Sequence, residues 1–369
     1  MTEALTRIRI LHAAETIKGG VGTYLRDLLP LQRSSLREGN IVAVVPARQV
    51  GILQAPAGVE IVTFDDCDDR KVSALRLAKK VRELIVVNQP DILHIHSTFA
   101  GIVLRSQLAL RSRSFRIVYC PHGWAFDRDM SAIKKFAAAL LEKLLSFGCD
   151  AIVCISEYER QAGLRSGIDS RKLVLVRNGV PGQCPQTSAA AAWPPGLRRL
   201  LFVGRFDRQK GVDVFLQAVA QLQGKVFGVI VGDTVHGGSD ITKLPANARS
   251  VGWLSPAELE TYFRTADVVV VPSRWEGFGL TAAEAMRAGV TVVASRVGGL
   301  PEVVEDGVTG LLVPPDDAAA LVKVLSDLDD SRLRTMGEAA RARFQRHFTM
   351  DRVNQQLCDL YQKLLPRPA

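Results

Sequence analysis

Two rounds of the same alternation, a short run of β-branched residues, a turn and an amphipathic helix, account for most of this 369-residue chain. In the first round, strands are expected at 8–13, 41–45, 61–64, 92–96, 116–120, 151–155 and 173–176, alternating with helices such as 22–32, 72–88 and 157–166. The second round has strands at 199–203, 226–231, 250–251, 267–271, 291–294 and 310–313. Strands separated by helices cannot pair as hairpins, so the expected class is α/β, with two doubly wound parallel sheets. Between the rounds, QCPQTSAAAAWPPG (183–196) reads as a linker. The length exceeds what one core usually organises, which agrees with two domains. They are expected at 1–184 and 185–349, facing each other across a deep cleft. A final helix follows from Met350, with Val353, Leu357, Leu360, Tyr361 and Leu364 at helical spacing.

The stretch with most chemistry is EGFGLTAAE, from Glu276 to Glu284. Upstream, ADVVVVPSRW reads as a buried parallel strand ending in a Pro/Ser loop; downstream, strong helix formers run to Gly289. The loop therefore lies at the carboxyl end of a strand, where open α/β sheets gather ligands, and the helix that follows offers free N–H groups to a phosphate. Two carboxylates eight positions apart on such a turn can reach two parts of one extended ligand. That is the outline of a sugar-nucleotide site. The alternative is a solvated loop Glu beside a surface helix Glu.

Each round also opens on a glycine-bearing loop after its first strand. KGGVG (18–22) allows close backbone approach ahead of a helix, but it lacks the GxGxxG spacing, and Pro46 stands where a nicotinamide site needs an acidic residue. FVGRFDRQKG (202–211) brings Arg205 and Lys210 to a strand end just before a helix, a diphosphate clamp when joined to the carboxylate loop.

Net charge is +9, unevenly spread: 26 Lys/Arg against 18 Asp/Glu through Pro185, then 21 against 20. The basic half is expected to meet something anionic, either anionic lipid or a phosphorylated acceptor; no nucleic-acid motif accompanies the charge. Six Cys without CxxC or zinc spacing read as reduced thiols. No apolar stretch approaches a membrane span, and the expectation is a cytoplasmic protein, either free or in contact with the inner face of the membrane. In SAIKKFAAALLEKLLSF (131–147), Ile133, Phe136, Leu140, Leu141, Leu144 and Leu145 share a face, which is expected to pack on its own domain, with an interfacial membrane helix as the alternative.

GGVG (19–22), PHG (121–123), RNGV (177–180), GRFDRQKG (204–211), EGFGLTAAEAMRAG (276–289) and GGLPEVVEDGVTGLLVPPDD (298–317) together resemble the family-4 retaining glycosyltransferases of the GT-B fold, also called group 1. The resemblance spans nearly the whole chain and is weaker between Pro46 and Gln89. It implies that the second domain binds a UDP- or GDP-linked sugar and the first an acceptor, with the helix after Met350 crossing back to the first domain. It also implies roles. Glu284 holds the ribose; Glu276 holds the donor sugar, with the backbone of Phe278, Gly279 and Leu280 beside sugar and phosphate. Arg205 and Lys210 neutralise the diphosphate, while Gly19, Gly20 and Val21 approach it from the first domain. His122 contacts the sugar near the reacting centre.

Other residues carry weaker signals. Asn178 is a turn residue on any reading, with a donor-side contact as the alternative. His94 and His96 alternate on one strand and face one side; without a third ligand in the pattern they are read as a core or cleft-edge histidine and an acceptor contact. The acidic run Asp65, Asp66, Asp68 and Asp69, like Asp127 and Asp129, is read as solvated loop. No metal and no cofactor are expected, because Arg, Lys and helix ends take the place of a divalent ion. The expected activity is retaining transfer of a sugar from a nucleotide diphosphate to a lipid-linked or phosphorylated glycan acceptor, in exopolysaccharide, capsule or lipopolysaccharide assembly. A sugar-nucleotide 2-epimerase of the same fold, or an inactive donor-binding regulator, are the alternatives.

Overall fold

The computed structural model describes residues 7–36, 39–54, 57–108, 113–184, 191–234 and 243–365. They belong to two compact units, Met1–Gly179 with Met350–Ala369, and Val180–Thr349. The division falls ahead of the expected 184/185 boundary. Val180 donates its N–H to Phe348 O (3.0 Å) and bridges Thr349, which ties the entry of the second unit to its exit. Part of the expected linker, 185–190, lies outside the described residues, as does the start of the chain at 1–6.

Unit 1 runs β1 (Ile10–Ala14), α1 (Gly20–Ser35), β2 (Ile41–Pro46), β3 (Glu60–Phe64), α2 (Arg70–Asn88), β4 (Ile92–His96), α3 (Thr98–Leu108), β5 (Arg116–Cys120), α4 (Ala132–Leu145), β6 (Ala151–Cys154), α5 (Glu157–Arg165) and β7 (Leu173–Leu175). The strands are parallel, in the order β3-β2-β1-β4-β5-β6-β7. β1, β2, β4 and β6 are buried at every position, as expected for strands covered on both faces.

Unit 2 continues with β8 (Arg198–Val203), α6 (Val212–Gln221), β9 (Val226–Val231), β10 (Ala248–Ser250), α7 (Pro256–Thr265), β11 (Val268–Val271), α8 (Leu280–Ala288), β12 (Thr291–Ser295), α9 (Leu300–Val303), β13 (Gly310–Val313), α10 (Ala318–Asp327) and α11 (Asp330–His347). Its sheet is parallel too, ordered β10-β9-β8-β11-β12-β13. In both sheets the order reverses beside the unit's first strand, at β1/β4 and at β8/β11. A crevice opens at such a switch point because the flanking loops leave in opposite directions.

The last helix, α12 (Met350–Leu364), belongs to unit 1 and packs beside α1. Tyr361 is its anchor, fully buried and bonded to both Gln32 and His94.

Helix α4 departs from expectation. Its large apolar residues face solvent: Ile133 is 82% exposed, Phe136 71% and Leu144 57%. Ala138 and Ala139 pack on the core instead, and Glu142 turns inward to meet fully buried Arg105 at 2.6 Å. A buried guanidinium with no carboxylate beside it would be strongly destabilising, so Arg105 dictates which side of the helix faces in.

Candidate active site

Helix starts separate structural from open positions. Side chains cap α2 (Asp69), α5 (Ser156), α7 (Ser255), α10 (Asp317) and α11 (Asp329). By contrast α1, α6 and α8 begin after Gly19, Gly211 and Gly279, each at positive φ and with no side-chain cap. The N–H groups of Gly20 and Val21 in α1 and of Leu280, Thr281 and Ala282 in α8 are open to an outside acceptor, whereas in α6 Val214 N–H already bonds to Gly211 O (3.0 Å) and Asp213 stands in the first turn. These three helices follow β1, β8 and β11, the strands at the two switch points. Gly20 and Val21, expected in the loop, are the first residues of α1 itself.

In unit 2, the loops after β8 and β11 are laced together. Arg274 N–H donates to Gln209 O (2.8 Å), and Gln209 Nε2 to Trp275 O (3.1 Å). The Arg274 guanidinium grips both oxygens of Asp213 in α6 (2.9 and 2.7 Å), and these bonds push the Asp213 pKa down. A side chain at Gly211 would collide with the Pro272 carbonyl, and one at Gly298 with that of Glu276. The backbone of Glu276 is therefore fixed from two sides.

This lacing brings Lys210 Nζ to 2.5 Å from Glu276 Oε2, with Ser273 Oγ donating to the same oxygen at 3.3 Å. The two groups expected to hold diphosphate and sugar thus form one ion pair. Arg205 lies on the same loop, 42% exposed, and bonds to Asp207 and Gln209, each at 3.0 Å. Phe278 is buried, its ring edge-on to Phe348, and anchors the turn from which Gly279 and Leu280 start α8. Glu284 stands half-buried in that helix.

In unit 1 the structure assembles something the sequence did not show. His12 of β1 joins His94 and His96 of β4, all buried, and His122 follows β5 with φ +53°, a left-handed backbone unusual outside glycine. Gln32 of α1 sets the proton positions. Its amide nitrogen donates to Tyr361 Oη (3.3 Å), and its oxygen accepts from His12 Nε2 (2.8 Å). His12 Nδ1 must then accept from His96 Nε2 (3.0 Å), and His96 Nδ1 from His122 Nε2 (3.0 Å). His122 is left with a lone pair on Nδ1. Burial pushes the pKa of His12 and of His122 down to about 4 and those of His94 and His96 well below the usual value, so the chain is neutral at physiological pH.

Three nitrogens of His12, His94 and His96 lie within 4.8 Å of one another, close enough to raise a metal site. Hydrogen bonds already occupy nitrogens of all three rings: His12 Nδ1 faces His96 Nε2 at 3.0 Å, and His94 Nδ1 bonds to Tyr361 Oη at 2.7 Å. One pair of nitrogens already shares a proton.

Tyr24 of α1 packs edge-on against His122 (4.9 Å between centroids), which places Gly19–Val21 and His122 around one end of sheet 1. Asn178 is buried and closes its own turn, its Oδ1 accepting from Gly179 N (2.9 Å). In the acidic run read as solvated loop, Asp69 caps α2 and Asp66 accepts from Arg48 N (3.0 Å).

His12, Gln32 and Glu15 escaped sequence reading. Glu15, just past β1, is buried and accepts from Arg70 Nε (2.9 Å) and Ser97. The available signal was polarity out of place: one His in an apolar strand, and one Gln on the apolar stripe Leu25, Leu28, Leu29.

Comparison with known proteins decides the family. Residues 18–183 match the model for Glycosyltransferase Family 4 and residues 185–343 that for Glycosyl transferases group 1. An uncharacterized 41.2 kDa protein in the cps region of Klebsiella pneumoniae is 32% identical over 330 residues, 86% of this chain and 89% of the other. The chain belongs to the group 1 glycosyltransferases. This glycosyltransferase is also 34% identical over 389 residues to the D-inositol 3-phosphate glycosyltransferase of Mycobacterium tuberculosis strain H37Ra, covering 94% of this chain and 79% of that one. Among solved structures, sucrose-phosphate synthase from Thermosynechococcus elongatus superposes with a TM-score of 0.80 at 22% identity, over 97% of this chain and 99% of the other. Anabaena HepE in complex with UDP-glucose gives 0.79 at 20%, over 97% and 100%. The glycosyltransferase has the GT-B fold, two parallel-sheet α/β domains.

Proposed function

We propose that this glycosyltransferase moves a sugar from a nucleotide-diphosphate sugar to an acceptor hydroxyl with retention of configuration and without a metal ion, in the assembly of exopolysaccharide, capsule or lipopolysaccharide. The Lys210–Glu276 pair beside the uncapped start of α8 carries this reading. A diphosphate arriving at the helix start draws the Lys210 ammonium toward it, and Glu276 is freed to accept from sugar hydroxyls. Arg205 adds a second cation. Glu284 is assigned to the ribose, and the backbone from Phe278 to Leu280 to sugar and phosphate. In unit 1, Gly19, Gly20 and Val21 offer N–H groups and His122 an acceptor nitrogen for a sugar hydroxyl. The UDP-glucose complex of HepE and the cps location of the Klebsiella relative support donor class and setting.

In the proposed reaction the bond between the anomeric carbon and the diphosphate oxygen breaks. The acceptor oxygen bonds to the same carbon on the same face, and its proton passes to the leaving phosphate. Negative charge grows on the diphosphate as this happens, and Lys210, Arg205 and the helix starts stabilise it. The acceptor is a lipid-linked or phosphorylated glycan at the inner face of the cytoplasmic membrane, a setting in keeping with the basic first half.

Binding and slow hydrolysis of a panel of UDP- and GDP-sugars test the reading, together with Glu276→Ala and Glu284→Ala. Glu276→Ala should abolish sugar release while binding the free nucleotide diphosphate as well as wild type or more tightly, because Lys210 loses its partner. Glu284→Ala should weaken the nucleotide itself. Equal loss of nucleotide affinity in both would show that they grip one group and refute the separate roles.

A further inference from the structure

Six of the fifteen exposed large hydrophobic side chains among the described residues fall between Ile133 and Phe147, on α4 and the turn after it. Such clustering is not the scatter expected of a surface. At about 100° per residue, Ile133, Phe136, Leu140 and Leu144 lie on the side of the helix opposite Glu142. Lys134 and Lys143 fall on its two flanks, and both are exposed, as is Lys135. Glu142 is the only acidic residue of the helix, and it is 2% exposed against Arg105. The outward surface of α4 is therefore apolar and cationic with no anion, in the half of the chain that holds the charge excess. Beside it, a groove toward α5 is bordered by Phe136, Leu140, Lys143 and Arg165, with Asp127 at its edge.

We infer that α4 is a docking helix that lays its exposed apolar face into the surface of an anionic lipid bilayer. The charge pattern selects this occupant. A helix lying in the interface buries large apolar residues among acyl chains and presents flanking lysines to head-group phosphates. No described helix is long and apolar enough to cross a membrane, so attachment through α4 is peripheral and reversible. The inference deepens the membrane-side setting proposed above, and it is tested without donor or acceptor, so that failure of one does not carry the other.

The experiment is sedimentation of the full chain with vesicles of phosphatidylcholine alone or mixed with phosphatidylglycerol. Wild type should bind the anionic vesicles and lose most of that binding in high salt. Phe136→Gln/Leu144→Gln should lower vesicle affinity at least tenfold with the thermal unfolding midpoint unchanged, since neither side chain is in the core. Lys134→Gln/Lys135→Gln/Lys143→Gln should lower it by on the order of 10²-fold and remove the salt dependence. Failure of wild type to bind anionic vesicles, or equal binding by the variants, would overturn the inference. So would a concentration-dependent dimer that Phe136→Gln/Leu144→Gln dissociates, because the face would then belong to a second copy of the chain.

Discussion

The carboxyl ends of the two sheets solve the same problem with opposite materials. In unit 2, the groups around the β8/β11 switch point are charged, part-exposed and paired with one another. Lys210 holds Glu276, Arg274 holds Asp213, and Arg205 leans on Asp207. In unit 1, the β1/β4 switch point is filled by neutral, buried imidazoles whose protons are set by a single amide, Gln32. Charged pairs near water can open and re-form around a ligand, because solvent supports the separated state. A buried neutral chain cannot rearrange without exposing unpaired polar groups, so it suits a site that must present one fixed acceptor nitrogen. The two ends differ in charge: unit 2 pairs ionised groups near water, and unit 1 buries a neutral hydrogen-bonded chain.

The largest expected effect tests the charged side. Neutral substitution of Lys210 or Arg205 should lower the turnover number by about 10²- to 10³-fold and donor affinity much less, since the cations act on charge that develops during departure. The Lys210→Ala/Glu276→Ala double variant should lose less than the product of the two single losses, because each single change strands a charged partner. Additive losses would mean that the ion pair has no part in the mechanism.

The neutral side is tested by Gln32→Met, which removes the acceptor that orders the chain while keeping the volume. Turnover should fall by about tenfold and its pH dependence should change, with nucleotide affinity in unit 2 unaltered. A structural role alone would lower stability and leave the pH profile where it was.

Acid stability separates the units further. His12 is held at about 4, below its ordinary value near 6.5, so its contribution is present above pH ~6.5 and is lost as pH falls toward 4, where the unfolded chain takes up a proton that the folded chain refuses. The loss is on the order of 3 kcal/mol for this residue. Unit 1 should melt first on acidification, and His12→Gln should flatten the fall between pH 6.5 and 4; scanning calorimetry across that range reads both.

The smallest effect is expected from metal. Exhaustive chelation should leave transfer unchanged, and Asp65, Asp66, Asp68 and Asp69 replaced together by Asn should keep it within a few-fold. The same variant should lose no more than about 1 kcal/mol of stability through the altered α2 cap, because Asn also caps helices. Loss of transfer on chelation, restored by magnesium or manganese, would remove the cation clamp from the mechanism.

Much of unit 2 was legible in the chain because its site is local. Glycines, cations and carboxylates sit within two short loops, and each loop follows a strand whose β-branched run announces it. The α4 surface was misread for a complementary reason. Periodicity showed that its apolar residues share a face but not which way that face points, and the direction was decided by Arg105, a buried cation on α3 that draws Glu142 inward. The compact units part at Gly179/Val180, where Val180 is held by Phe348 and Thr349, far along the chain.

By itself, the sequence determined the two parallel sheets and the glycine-bearing loops that lead into helices, because strand burial and turn chemistry are set by residues within a few positions of one another. Only the tertiary structure decided that Lys210 meets Glu276, that His12, His96 and His122 form one chain, and that Gln32 fixes its direction. Those contacts join residues between 20 and 84 positions apart, and they depend on strand register and helix rotation. A register shift of one residue in β4 would turn His94 and His96 to the other face of the sheet.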